Sequence, residues 1–124
     1  MNSLVLDTSA IIAYATGSVD VGEPISEVND AGGVVVVPVV CLVEAAREVD
    51  DGMLHVLAEH PASDLEPLAD DGWPMAAATT RMLGRLDLAV ALIAAASGGG
   101  FVLTGEPEAY GTLGEDVVIP LTPM

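Results

Sequence analysis

Four acids stand where this sequence could do chemistry. Asp7 directly follows the apolar run "SLVL", residues 3 to 6. Glu44 lies inside "VVVVPVVCLVEAARE", residues 34 to 48. Asp87 opens the apolar stretch "DLAVALIAAAS", and Glu106 comes two residues after "FVLT", 101 to 104. Carboxylates gathered in a small space repel one another and stay ionised at neutral pH only beside a neutralising cation. Oxygen-only donors select a hard divalent ion such as Mg²⁺ or Mn²⁺. Such an ion can activate a water and stabilise the charge that develops on a phosphodiester. No basic side chain is required for that chemistry.

Each acid also has a plainer role. Asp7 can cap the helix that follows it, and Asp87 can cap its own helix, where the N-terminal dipole favours an acid. Glu44 can pair with Arg47 at i+3 or face solvent. Glu106 lies in a polar loop beside Glu108. With 19 acids in the chain, some fall near strand ends by chance. The joint pattern, not any single member, raises the site reading. The first cap falls more naturally to Thr8 or Ser9, which leaves Asp7 free to face a crevice.

The elements that must position these acids alternate. Residues 3 to 6 read as a buried strand, followed by a helix to about Thr16. A polar-faced helix over 21 to 31 ends at Gly32 and Gly33. "VVVV", 34 to 37, reads as an interior parallel strand. Pro38 then starts a helix from about Val39 to Val49, with Val39, Leu42, Val43 and Ala46 at core spacing. A further helical piece covers 52 to 59. Residues 64 to 68 read as an edge strand, since Pro67 argues against a central one. Trp73 and Pro74 begin a helix that stops at Gly84, with the Trp packing locally. The helix near Asp87 is apolar all round, which marks it as central and buried. "FVLT" and "VVIPL", 117 to 121, close the series. This alternation predicts one α/β domain over 1–124 with a mostly parallel sheet, in which sites form at the carboxyl ends of the strands.

Composition sets the outer bounds. The chain has 124 residues, 52% apolar and 3% aromatic, enough for one packed core. The longest apolar runs fall short of the ~20 residues of a membrane span. The N-terminus has neither a basic region nor a cleavable signal pattern. We expect a soluble, cytoplasmic protein with no membrane role. The single cysteine, Cys41, reads as a small buried hydrophobe. Nineteen acids stand against three arginines and no lysine, a formal net charge of -16. That balance repels bare nucleic acid and favours basic protein partners or cations. It also suits a salt-rich cytoplasm, where about 1 M salt shortens the screening length to ~3 Å.

Other chemistries find no support. His55 and His60 are five apart, which misaligns them for zinc on a helix. No Ser/His/Asp elbow, phosphate-binding lysine loop or dinucleotide fingerprint is present. The glycines of "SGGGF" end a helix rather than begin one. Arg81 and Arg85, four residues apart just before Asp87, either approach a substrate or lie on an exposed helix face.

Four stretches together resemble the PIN-domain family, in particular the VapC-type toxin ribonucleases of VapBC toxin–antitoxin pairs. "LVLDTSAIIAY" resembles that family's opening strand and acid, with Asp7 in the acid's place. "VVVVPVVCLVEAARE" resembles its second strand and helix, with Glu44 as the second acid. "RLDLAVALIAAAS" resembles the segment of the third acid, Asp87. "FVLTGEPEAY" resembles the closing strand and its T-x-D turn, with Thr104 matching the Thr and Glu106 the Asp. The order and approximate spacing agree over nearly the whole chain. It departs from the family in carrying Glu106 where Asp is usual, followed by Pro107, and in its thin basic surface.

The resemblance implies a three-layer α/β/α sandwich and a divalent-metal-dependent endoribonuclease that leaves a 5′-phosphate and a 3′-hydroxyl. Asp7, Asp87 and Glu106 would hold Mg²⁺ or Mn²⁺ directly. Glu44 would hold it through water or orient the attacking water. Thr8 or Ser9, and Thr104, would position the carboxylates. The implied partners are an RNA substrate, an antitoxin with a basic tail, and a second copy in a homodimer. Two other readings are open. One is a non-catalytic module of the same fold that binds a basic partner through its acidic crevice. The other is an unrelated acidic phosphotransfer or phosphatase domain with Asp7 as nucleophile, which the absence of lysine disfavours.

Overall fold

A computed structural model describes residues 3–121. The expected domain, 1–124, therefore has its first two and last three residues outside the described range. Five strands form one sheet in the order β3-β2-β1-β4-β5, and every neighbouring pair is parallel. They are β1 (Ser3–Leu6), β2 (Val34–Pro38), β3 (Ser63–Glu66), β4 (Phe101–Thr104) and β5 (Val118–Pro120). Between them run α1 (Thr8–Ala15), α2 (Val19–Asp30), α3 (Val39–Ala46), α4 (Asp51–Ala58), α5 (Trp73–Leu83) and α6 (Leu86–Gly98). A 3₁₀ segment, Pro107–Gly114, joins β4 to β5.

β1 is central, and its Leu4, Val5 and Leu6 are all buried although successive side chains point to opposite faces. A strand buried on both faces needs cover on both sides. α6 packs across β1, β2 and β4 with α5 beside it, while α2 lies on β1 and β2 and α4 on β3. The architecture is a three-layer α/β/α sandwich. The core draws on β1, β2, β4, α1, α2, α3, α4, α6 and Tyr110 of the 3₁₀ segment in a single cluster. α6 is the buried helix its composition predicts: Leu88, Ala89, Ala91, Leu92 and Ala95 are all inaccessible or nearly so.

The path of the chain fixes where a site can form. It runs outward from β1 through β2 to β3, then returns to lay β4 on the other side of β1. The strand order reverses between β1 and β4, the place where open parallel sheets put their ligand sites, at the carboxyl ends of the strands. Asp7 leaves β1 at that edge, and Thr104 and Glu106 leave β4 beside it. Leu6 and Leu103 pair in the sheet, so the two exits are level.

Two packing expectations need correction. α3 does not bury Val43 and Ala46. Its inward residues are Cys41 and Ala45, and Val43 is 58% exposed. The helix is wedged between α1 and α6, and two small side chains, Cys41 and Ala45, face the crowded side, where close approach needs them. Trp73 starts α5 as expected but is 66% exposed instead of packing locally.

With 19 acids and three arginines, like-charge repulsion opposes the compact state and salt weakens it. The melting temperature is expected to climb steadily as KCl is raised from about 0.1 M to ~1 M, where the screening length shrinks from ~10 Å to ~3 Å. Circular dichroism melts measure this, and a flat or falling dependence would contradict it.

Candidate functional site

The crevice is built around two buried carboxylates. Asp7 is 1% exposed. Its Oδ1 accepts hydrogen bonds from the Ala10 amide at 3.0 Å and from the Ser9 hydroxyl at 2.7 Å. Asp7, not Thr8 or Ser9, is thus the N-cap of α1. The expectation that capping would leave Asp7 free is wrong, because a carboxylate has two oxygens and only one serves the cap. The other, Oδ2, accepts a 2.7 Å hydrogen bond from the Tyr110 hydroxyl.

Asp87 is 6% exposed and sits in the first turn of α6, with Arg85 as the N-cap residue. Its Oδ2 accepts from Thr8 Oγ1 at 2.7 Å and from Arg85 Nη2 at 2.8 Å, and its Oδ1 from Arg85 Nε at 3.1 Å. Burial pushes this carboxyl up, but the hydrogen bonds from Arg85 and Thr8 and the guanidinium charge outweigh it. The net effect holds Asp87 below the ordinary carboxylate value, so it is ionised at neutral pH.

Thr8 therefore ties the start of α1 to the start of α6. Ser9 does the same toward β4. Its hydroxyl accepts from the Gly105 amide at 2.8 Å and lies 3.3 Å from Thr104 Oγ1. Thr104 is fully buried and its Oγ1 accepts from the Glu106 amide at 2.9 Å. Of the three expected positioning residues, Thr8 bonds Asp87, while Ser9 and Thr104 form a second hydrogen-bonded set with Asp7.

Glu106 joins from the outside. Its side chain is 43% exposed, and Oε2 accepts from Arg85 Nη1 at 2.7 Å. Glu44 occupies the wall of a cleft of about 260 Å³ lined also by Thr8, Val40, Glu48, Arg85, Leu86 and Asp87. It pairs with Arg47 at 2.6 Å, on its own helix and largely in solvent. Glu44 and Asp87 thus share the cleft, Asp7 is buried and does not line it, and Glu106 is linked to Asp87 through one guanidinium. Arg81 and Arg85 do not share a helix face: Gly84, with φ +83, ends α5 between them.

Three partners were not foreseen. Tyr110 is fully buried. Burial, then the charge and hydrogen bond of Asp7, push its phenol far up, so it remains a proton donor to that carboxylate. It lies on the 3₁₀ segment that reads as plain loop in sequence, where Pro107 after Glu106 was the available signal of a helical start. Gly114 allows the placement, since a Cβ there would stand 2.5 Å from Tyr110 Cβ. Cys41 is buried as expected, yet its Sγ also donates to the Asp87 carbonyl at 3.2 Å. Burial above all, with added push from Asp7 and Asp87, raises its thiol to about 12, so it is no nucleophile at neutral pH. Both carboxylates act on both Cys41 and Tyr110, which marks a shared neighbourhood. Arg85 is the third, as a clamp rather than a surface charge.

Can these residues hold a hard cation? Among the described residues, no group of three or more His, Cys, Asp or Glu is placed to hold a metal ion. The donor type is the one a hard cation takes, but the cation in contact with two of these acids, Asp87 and Glu106, is Arg85.

Phenylalanine at position 110 would keep the packing but leave Asp7 Oδ2 without its donor. Tyr110→Phe is expected to cost about 1–3 kcal/mol in urea unfolding. A variant as stable as the wild type would contradict the assigned hydrogen bond.

A scan against protein-family models matches none, and a search of curated proteins finds no match.

Proposed function

We propose that the chain is a divalent-metal-dependent endoribonuclease of PIN type, acting as a VapC-like toxin. The observation that carries this reading is the pair of buried, hydrogen-bonded carboxylates, Asp7 and Asp87, at the strand-order reversal of a parallel sheet. Burying two acids is costly unless their oxygens are satisfied, and a cation bound at this end of the sheet would give that burial a use beyond capping. Asp7, Asp87 and Glu106 would hold the ion. When bound, it would acidify a water and neutralise the charge that develops on the phosphodiester.

The chain's own residues supply the rest. Ser9, the Ala10 amide and Tyr110 fix the orientation of Asp7. Thr8 fixes Asp87. Glu44, on the cleft wall and half-exposed, would orient the attacking water. Thr104 holds the turn that delivers Glu106. With a charge of -16, the chain repels RNA until salt or bound cations screen it. The same charge suits an antitoxin with a basic tail. The homodimer is part of the proposal on the resemblance alone.

A second reading has one observation in its favour. Arg85 shows the crevice acids gripping a guanidinium, as they would in a non-catalytic module that captures a basic partner.

Structured RNA incubated with Mn²⁺ at low and at ~1 M KCl separates the two. The wild type is expected to cleave it. Asp7→Asn keeps the shape and the cap acceptor, and the Tyr110 hydroxyl can turn to accept from the new amide. It is expected to lose activity on the order of 100-fold. A wild type inactive under every salt and metal condition would remove the nuclease reading and leave the binding module.

A further inference from the structure

Charge is unevenly spread along this chain. Residues 72–105 hold one acid, Asp87, against Arg81 and Arg85, a net charge of +1. The other 90 residues, with 18 acids and Arg47, carry -17. α5 and α6 lie in the acid-poor stretch and pack on each other. The outward side of α5 is apolar. Met75, Ala78 and Met82 recur at the three- and four-residue spacing of one helix face, and Met75 and Met82 are 61% and 68% exposed. Trp73 and Leu86 stand exposed near its two ends. Beside it runs a groove of about 180 Å³ lined by Leu68, Ala69, Met75 and, from α6, Val90, Ile93 and Ala94, with Glu66 as the one charged residue of its lining. Single exposed apolar side chains are ordinary, but a contiguous apolar face with a groove marks an interaction surface.

We propose that this face joins two copies of the chain in a symmetric dimer, with the two α5 helices antiparallel. Charge selects a second copy. Two chains of -16 repel wherever their acidic surfaces meet, and on this face they meet apolar side chains instead. A two-fold interface must also complement itself. Met82 and Trp73 project beside a groove on the same surface, so each copy offers both a projection and a recess. The ends of α5 complement each other as well. Asp70 and Asp71 precede it and are exposed. Arg81 lies in its last turn, exposed and with no ion-pair partner among the described residues. Antiparallel pairing about Ala78 brings Arg81 of each copy to about four residues, ~6 Å along the axis, from the other's Asp71. Parallel pairing would set like charges together. The surface lies apart from the crevice, and the inference holds whether or not the crevice is a nuclease.

Sedimentation equilibrium of the full chain in ~1 M KCl, where screening removes the long-range repulsion, reads the association directly. The wild type is expected to be dimeric at micromolar concentration. Met75→Glu and Met82→Glu, at solvent-exposed positions, are each expected to leave the circular dichroism unchanged. Each should raise the dimer dissociation constant on the order of tenfold or more. Val19→Glu adds the same charge at an exposed position on α2 and should change nothing. Arg81→Asp should weaken the dimer, and adding Asp70→Arg and Asp71→Arg should restore it. A wild type that is monomeric at ~100 μM in every salt would overturn the proposal and leave the face to another kind of partner. A dimer that tolerates both glutamates lies on a different surface. A dimer weakened by them but not restored by the charge exchange is not antiparallel. Either result would overturn the proposal too, and none of these readings depends on RNA cleavage.

Discussion

The rest of the structure depends on satisfying two carboxyl groups buried inside a protein. An ionised carboxylate taken out of water costs several kcal/mol unless hydrogen bonds and opposite charge replace its solvent. Asp7 receives an amide, a serine hydroxyl and a phenol. Asp87 receives a threonine hydroxyl and a bidentate guanidinium. Among the described residues, no buried side-chain nitrogen or oxygen lacks a partner. These donors come from α1, from the α5–α6 junction and from the 3₁₀ segment after β4, so satisfying two acids ties together segments from both ends of the chain.

That requirement accounts for several local features. The reversal of strand order places the exits of β1 and β4 side by side, which lets Ser9 bridge to Thr104 and Gly105. Gly84 turns the chain so that Arg85 arrives at the head of α6, and Gly114 makes room for Tyr110. Cys41 and Ala45 are small because α3 must lie close to α6 behind the site. The acids toward solvent, Glu44 and Glu106, have fewer constraints, and each satisfies its charge with one arginine.

Much of this frame was legible in the residues. Alternating apolar runs, all-apolar α6 and the β-branched "VVVV" gave the parallel α/β order, because burial on both faces leaves no polar alternation to mislead. Pro67 marked β3 as an edge. The inward face of α3 was not legible, since helical spacing alone favours large residues such as Val43, and only tertiary crowding selects the small ones. Asp7 and Asp87 could be picked as paired acids from their positions after a strand and before a helix. Their partners could not. Tyr110 lies 103 residues from Asp7, and nothing local ties the two. Arg85 reads either as near a substrate or on an exposed face, because nothing local shows where the turn at Gly84 sends its side chain.

On the proposed function, Asp7 and Asp87 are buried to hold a divalent cation. A crystal soaked in Mn²⁺ and measured for anomalous scattering tests it most directly. The expected result is a peak in direct coordination with oxygens of both Asp7 and Asp87, and an Arg85 side chain that has left Asp87. A Mn²⁺-soaked crystal with no peak at these carboxylates, and Arg85 still bridging Asp87 and Glu106, would contradict it.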